Sequence, residues 1–401
     1  MDFEREYDVV VAGAGVAGVA AALECARSGV KTALVEKTIL PGGLATSGLI
    51  YVYLPLCDGN GRQVTFGIAE ELFHLSIRYG PGDVPAGWRD ARNAAEPQRY
   101  RTLFSPASFV LALDEALEVA GVEVLYDTLV CAVQKDGGRV TALEVENKSG
   151  RGRLKAKCFI DATGDADVAH RAGAECSTAE NRLAMWAIVA SLDRAKQAVE
   201  TGSGESLLDM LVLGADNDGA GAPPGSGTYD GTNTDDVTRF ALESRRLLRE
   251  YCRKKHAESG DDARSKHFPL TLPTMAQFRT TRRIVGRTTL TDGQHGRRFD
   301  DAIGMAADWR KPGFVWEIPY GTLIPEGVTG LLAAGRCISS EKDAWEVTRV
   351  IPAAALTGQA AGVAATLAAQ TGTTPDAMPP ADVQTRLRKR GIPLHIDDIT
   401  Q

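Results

Sequence analysis

The hexapeptide Gly13-Ala14-Gly15-Val16-Ala17-Gly18 spaces three glycines so that backbone N–H groups can close on a pyrophosphate. Gly13 permits a tight turn, Gly15 lets the backbone approach the phosphates, and Gly18 lets a helix pack closely on its strand. The positive end of that helix then faces negative charge. Glu36 stands 21 residues after Gly15, where a carboxylate accepts hydrogen bonds from a ribose hydroxyl pair and repels a 2′-phosphate. With Lys37 beside it, this set reads as a dinucleotide site.

Three later segments choose the dinucleotide. Pro41-Gly42-Gly43-Leu44-Ala45-Thr46-Ser47-Gly48 follows the acidic strand at once. A glycine pair there lets backbone lie close to a planar ring system, which a NAD site does not need. Asp161-Ala162-Thr163-Gly164-Asp165-Ala166-Asp167 ends a buried strand and brings Ala162, Thr163, Gly164 and Asp165 across the pyrophosphate. Asp165 and Asp167 also suit capping of the next helix. No His or further carboxylate stands at ligand spacing, so no metal is expected. In Gly330–Ser339 a buried strand ends at Gly335, followed by Arg336. Arg349-Val350-Ile351-Pro352 then opens an Ala/Gly-rich helix, with proline suited to the first position. Its positive end, at Ile351, suits negative charge on a reduced flavin. Val130, in a strand expected near Leu129–Gln134, completes the candidate set. The expected cofactor is FAD.

These residues need a frame. Residues 7–12 form a short apolar run, as in a parallel strand buried on both faces. A helix follows from about Ala14 to Ser28, stopped by Gly29, and then a strand over 32–36. Helices are predicted at about Ile68–Ile77 and Ser105–Ala120, and a long surface loop at 80–99. Strands are predicted near 123–125, 129–134, 140–145 and 157–160, with a hairpin turn at Gly137-Gly138. From residue 174 the pattern changes. A strand-like stretch at 183–191 precedes a flexible Gly/Asn/Asp/Pro tract at 214–236, then an amphipathic helix at about 236–255. This predicts an α/β chain: a Rossmann-type FAD-binding domain from 1–173 and 326–401, with an inserted α+β substrate domain at 174–325.

Composition narrows the partners. The 401 residues carry a formal net charge of -7, which argues against nucleic acid or an anionic membrane as the main partner. The seven cysteines are scattered without C-x-x-C spacing, which suggests a reducing compartment and a cytoplasmic location. The charged N-terminus does not read as a signal peptide, and no apolar run long enough for membrane insertion is expected. Homo-oligomerisation stays open.

Taken together, about residues 7–370 resemble the FAD-dependent oxidoreductase family, a branch of the glutathione-reductase-like flavoproteins that also resembles the fumarate reductase and succinate dehydrogenase flavoprotein subunits. The resemblance rests on Asp161–Asp167, Arg282–Thr291, Ile318–Pro325, Ala334–Ser339 and Arg349–Gly362. It implies redox chemistry at the FAD ring. Many relatives carry Gly-Asp where this chain has Gly335-Arg336. No second GxGxxG stands between a strand and a helix, so electrons are expected from a small-molecule substrate, with a second small molecule as electron acceptor. Arg282, Arg283 and Arg349 are candidate clamps for an anionic substrate. Tyr320 reads as a packed turn residue, and Cys57 and His74 as structural. Rival readings are a flavin monooxygenase and a FAD-binding subunit of a larger complex.

Overall fold

A computed structural model describes residues 1–85, 101–216, 220–260 and 262–399. Most of the loop expected at 80–99, and positions 217–219 of the 214–236 tract, lie outside the described residues.

The main sheet grows from β1 (Phe3–Ala12), whose Val9, Val10 and Val11 are fully buried, as a strand covered on both faces requires. The chain turns into α1 (Val16–Arg27) and returns as β2 (Thr32–Val35), parallel to β1 with Val9 opposite Thr32. Glu123–Leu125 extends the sheet beyond β2, and Gly150–Asp161 lies along the other side of β1. That last strand has 12 residues and starts well before the expected 157. Its first half alternates partly exposed Arg151, Arg153 and Lys155 with buried Gly152 and Leu154, so a search for an apolar run passes over it. This half closes an antiparallel meander with Leu129–Asp136 and Arg139–Asn147. Its buried second half pairs in parallel with Leu331–Ala333, returning from the far part of the chain.

α1 packs against the helix Ile351–Thr371 at backbone distance. A Cβ on Gly358 would fall 2.1 Å from the Ala17 carbonyl oxygen, and one on Gly362 would fall 2.7 Å from that of Ala21. Contrary to expectation, Ile351–Thr371 is long and apolar enough to cross a membrane. It is instead a core helix, apolar all round and 89% buried over its most apolar window.

Within 174–325, Ala184–Ser191 pairs antiparallel with Asp209–Gly214 on one side and His267–Thr271 on the other. The helix Thr234–Ser259 covers this small sheet, packing Leu248 on Met185 and Ala187. Asn233 accepts the N–H groups of Asp235 and Asp236, so the helix begins before the expected Asp236. The hairpin of Ala302–Ala307 and Val315–Pro319 joins the main core instead, through Ile303, Trp316 and Ile318.

Candidate cofactor-binding cleft

A cleft opens at the C-terminal ends of the parallel strands, lined by residues that directly follow them: Gly13, Glu36, Ala162 and Ala334. Its floor is the turn from β1 into α1. Gly13 has φ +94°, and a Cβ there would lie 2.6 Å from the Ala162 carbonyl oxygen, so both conformation and space demand glycine. Gly18 faces away from the cleft, and its Cβ would lie 1.8 Å from the Gly13 oxygen. Gly15 differs: a Cβ would meet only the Ala162 oxygen, at 4.0 Å, and its open side is the cleft. Val16 and Ala17 continue the floor. α1 has no side-chain cap and no acid in its first turn, leaving its positive end free for a diphosphate.

Glu36 and Lys37 form one side wall with Thr38. The Glu36 carboxylate accepts the Ala14 N–H at 2.8 Å on one oxygen, and the Thr38 N–H and hydroxyl, both at 2.9 Å, on the other. An ionised carboxylate has about four acceptor positions. One therefore remains for a ribose hydroxyl. Ala14 sits behind the wall, where its carbonyl accepts the Gly42 N–H at 2.7 Å.

The glycine loop lies backbone to backbone on the floor. Gly42 bridges to Gly15, and a Cβ on Gly43 would stand 3.1 Å from the Gly15 Cα. Gly42, Gly43, Leu44 and Ala45 line the cleft, whereas Thr46 shapes the loop by donating its hydroxyl to the Pro41 carbonyl at 2.6 Å. Ser47 also lines the cleft, and its buried hydroxyl has no partner.

Opposite stand Ala162, Thr163 and Gly164. The fully buried Asp161 accepts the Thr163 hydroxyl at 2.7 Å, the Thr163 N–H at 3.1 Å and the Ala169 N–H at 2.8 Å. It thereby serves the start of the helix Asp167–Arg171, a role the sequence suggested for Asp165 and Asp167. Burial still holds its carboxyl above the usual range. Asp165 instead accepts from the Thr281 hydroxyl and from Arg336, each at 2.7 Å. Gly335 and Arg336 line the cleft. The Arg336 guanidinium also donates to the carbonyls of Gly164 at 2.8 Å and Phe278 at 2.6 Å. This arginine thus pins two walls together. Ile351 and Ala354 present the first turn of the core helix, again without an acid or a side-chain cap.

Residues 273–281 form a roof. The Thr274 N–H donates to the Ser47 carbonyl at 2.9 Å, and the Gln277 amide to that of Gly48 at 2.5 Å. Met275 faces the cleft. The sequence pointed to the neighbouring Arg282 and Arg283, which the structure turns elsewhere. Arg282 donates to the Asp165 carbonyl at 2.9 Å and the Asp167 carboxylate at 2.8 Å. Arg283 donates to Glu341 at 3.0 Å, and neither arginine lines the cleft. Arg349 does line it, paired with Glu346, while its buried Nε has no partner. Val130 is buried in a cluster with Val140, Val145 and Phe159, off the cleft. Tyr320 is buried and donates to the Pro375 carbonyl at 2.5 Å, while burial pushes the Cys57 thiol up to about 12. Thr38, Ser47, Met275, Ala334 and Ala354 are cleft residues that sequence reasoning missed. Ser47 and Ala334 stood inside flagged motifs; nothing in the sequence marked Met275.

FAD fits this cleft on three counts: the open side of Gly15, the spare acceptor position on Glu36, and the orphaned Ser47 hydroxyl. The profile of the FAD dependent oxidoreductase family matches residues 8–195 and 216–387. The chain belongs to the FAD dependent oxidoreductase family. The chain is 31% identical over 166 residues to a digeranylgeranylglycerophospholipid reductase of Picrophilus torridus, covering 40% of each chain. It is 39% identical over 75 residues to the probable electron transfer flavoprotein-quinone oxidoreductase YgcN of Escherichia coli, covering 18% of this chain and 15% of that one. The match thus spans less than half the length of these curated relatives. Among solved structures, a geranylgeranyl bacteriochlorophyll reductase-like protein from Thermoplasma acidophilum superposes over 99% of this chain and 87% of its own, with TM-score 0.46 and 15% identity.

Proposed function

We propose that the protein transfers a hydride between a small organic substrate and FAD, with the substrate entering between the sheet and the 273–281 roof. Bound FAD supplies a ring that takes up or gives back two electrons with a proton. The observation that carries the reading is the pair of uncapped helix N-termini, α1 and Ile351–Thr371, that open onto one cleft.

Each group in the cleft has a separate task. The N–H groups of Gly15, Val16 and Ala17 hold a diphosphate, and Glu36 holds a ribose hydroxyl. Gly43, Leu44 and Ala45 offer backbone against a flat ring. The free end of Ile351–Thr371 stabilises negative charge that develops in the cleft during reduction. The roof excludes water and fixes the distance of the substrate, and proximity of this kind supplies much of the rate. Arg349, at the mouth of the core helix, orients an anionic group of the substrate. A second small molecule removes or supplies the electrons at the same face. None of the seven cysteines is in a disulfide among the described residues, which fits a reducing compartment.

The test is the visible spectrum of the purified protein before and after denaturation and filtration, followed by an anaerobic substrate screen. A flavin spectrum with FAD in the filtrate, and bleaching by an organic substrate alone, support the reading. Rapid bleaching by NADPH alone would move it to a monooxygenase. A colourless protein that takes up no added FAD would overturn it.

A further inference from the structure

Met275 faces the cleft, but it also lines a second cavity, which lies between the roof and the first half of the helix Thr234–Ser259. It is the one residue in the walls of both.

The wall of this second cavity is largely hydrocarbon. Met185 and Phe240 are buried in it, and Val237, Ala241, Pro273 and Ala276 complete it. Its inner polar groups are already engaged. The Ser244 hydroxyl donates to the Ala184 carbonyl at 3.0 Å. The Gln277 amide donates to the carbonyls of Gly48 and Trp186, and its oxygen accepts the Trp186 N–H at 2.9 Å. The Thr274 hydroxyl reaches the Ser47 carbonyl at 3.5 Å. Arg245 is exposed at the rim, where water solvates it, and no carboxylate lines the cavity among the described residues. A polar guest would give up its water and find no partner there, whereas a hydrocarbon guest gains by leaving water.

The roof is pinned on either side of Met275, by the Thr274 N–H on Ser47 and by Gln277 on Gly48. Between these pins Met275 and Ala276 make no backbone hydrogen bond among the described residues. Methionine is unbranched and polarisable, so it adapts to irregular apolar surfaces and yields where a branched side chain would block.

We propose that this cavity receives a hydrocarbon arm of the substrate, which runs past Met275 while the reacting carbon stays in the cleft, so that the protein acts on lipophilic molecules. This rests on the reading of the cleft as a FAD site for hydride transfer. The cavity then selects substrates by the length of the arm, and Met275 is a specificity-determining residue at the passage.

The experiment is calorimetric titration of the FAD-loaded protein with 1-alkanols from butanol to decanol, beside 1,8-octanediol, with the flavin absorption bands recorded at each addition. The expected affinity rises about 4-fold per added methylene up to a limiting length. The diol, whose far hydroxyl finds no partner, binds about 10-fold more weakly than 1-octanol. Long alkanols shift the flavin bands. Ala241→Phe fills the cavity from outside the cleft, so FAD content stays unchanged and the dependence on chain length disappears; Val237→Phe stands in if that variant fails to fold. A flat response to chain length, equal affinities in wild type and filled variant, or flavin bands that no alkanol moves would each overturn the proposal. A protein that takes up no FAD would instead overturn the flavin reading, a failure visible before any alkanol is added.

Discussion

Gly15→Ala and Gly18→Ala should separate cofactor binding from folding. Gly15 has φ -62° and ψ 173°, which alanine adopts freely, and its Cβ would touch only the Ala162 oxygen, at 4.0 Å. The apoprotein of Gly15→Ala should therefore keep its denaturant midpoint within about 0.5 kcal/mol of wild type. The added methyl group stands where a diphosphate must approach. Losing one charge-assisted hydrogen bond there costs about 1.5–3 kcal/mol, or about 10- to 150-fold in FAD affinity. In Gly18→Ala the new Cβ lies 1.8 Å from the Gly13 oxygen. Relief requires α1 to retreat from β1 by roughly 1.5 Å, and overpacking of this kind costs about 3 kcal/mol or more. The assays are urea unfolding of the two apoproteins and fluorescence titration with FAD. If Gly15→Ala bound FAD like wild type, or destabilised the apoprotein as much as Gly18→Ala, the assignment of Gly15 to the phosphate floor would be wrong.

Glu36→Gln turns an amide N–H toward either the Ala14 N–H or the Thr38 N–H, so both FAD affinity and melting temperature should fall, the latter by about 1–3 kcal/mol in stability terms. Ser47→Ala removes only an orphaned hydroxyl, so apoprotein stability should stay unchanged while FAD affinity drops about 5-fold; unchanged FAD affinity would remove Ser47 from the site. Arg336→Met strands the Asp165 carboxylate and frees the roof, and urea unfolding should register a loss of about 3–5 kcal/mol. Burial pushes the thiols of Cys25 and Cys158 up to about 12, so both stay protonated at neutral pH and form thiolate only as the pH nears that value. Mass spectrometry after iodoacetamide treatment of the native protein should find both unmodified, and labelling should appear only on unfolding.

The floor of the cleft was legible because its chemistry is backbone chemistry. Gly13, Gly15, Glu36 and Gly42-Gly43 are residue types that few other roles require at those spacings. Ala14, Gly18, Thr46 and Asp165 were flagged by the same motifs but act one layer behind, holding the lining in place. The roof was not legible. Residues 273–281 have no period and no glycine signature, and their work is done by backbone groups and by Gln277, whose partners Gly48 and Trp186 are 229 and 91 positions away. The sequence favoured Arg282 and Arg283 as adjacent cations; hydrogen bonds to Asp165, Asp167 and Glu341 make them braces.

The core helix Ile351–Thr371 also sets the order in which the protein can mature. The first 50 residues already contain the glycine turn, the ribose acid and the glycine loop. Yet the face of α1 that carries Ala17 and Ala21 stays bare until Gly358 and Gly362 arrive, and the contact of Cys25 with Gly362 joins residues 337 apart. A chain emerging from the ribosome thus displays a half-built nucleotide pocket with an open apolar flank through most of its synthesis. Cofactor capture belongs to the end of translation, and a chain cut short before residue 351 should aggregate with its pocket unfinished.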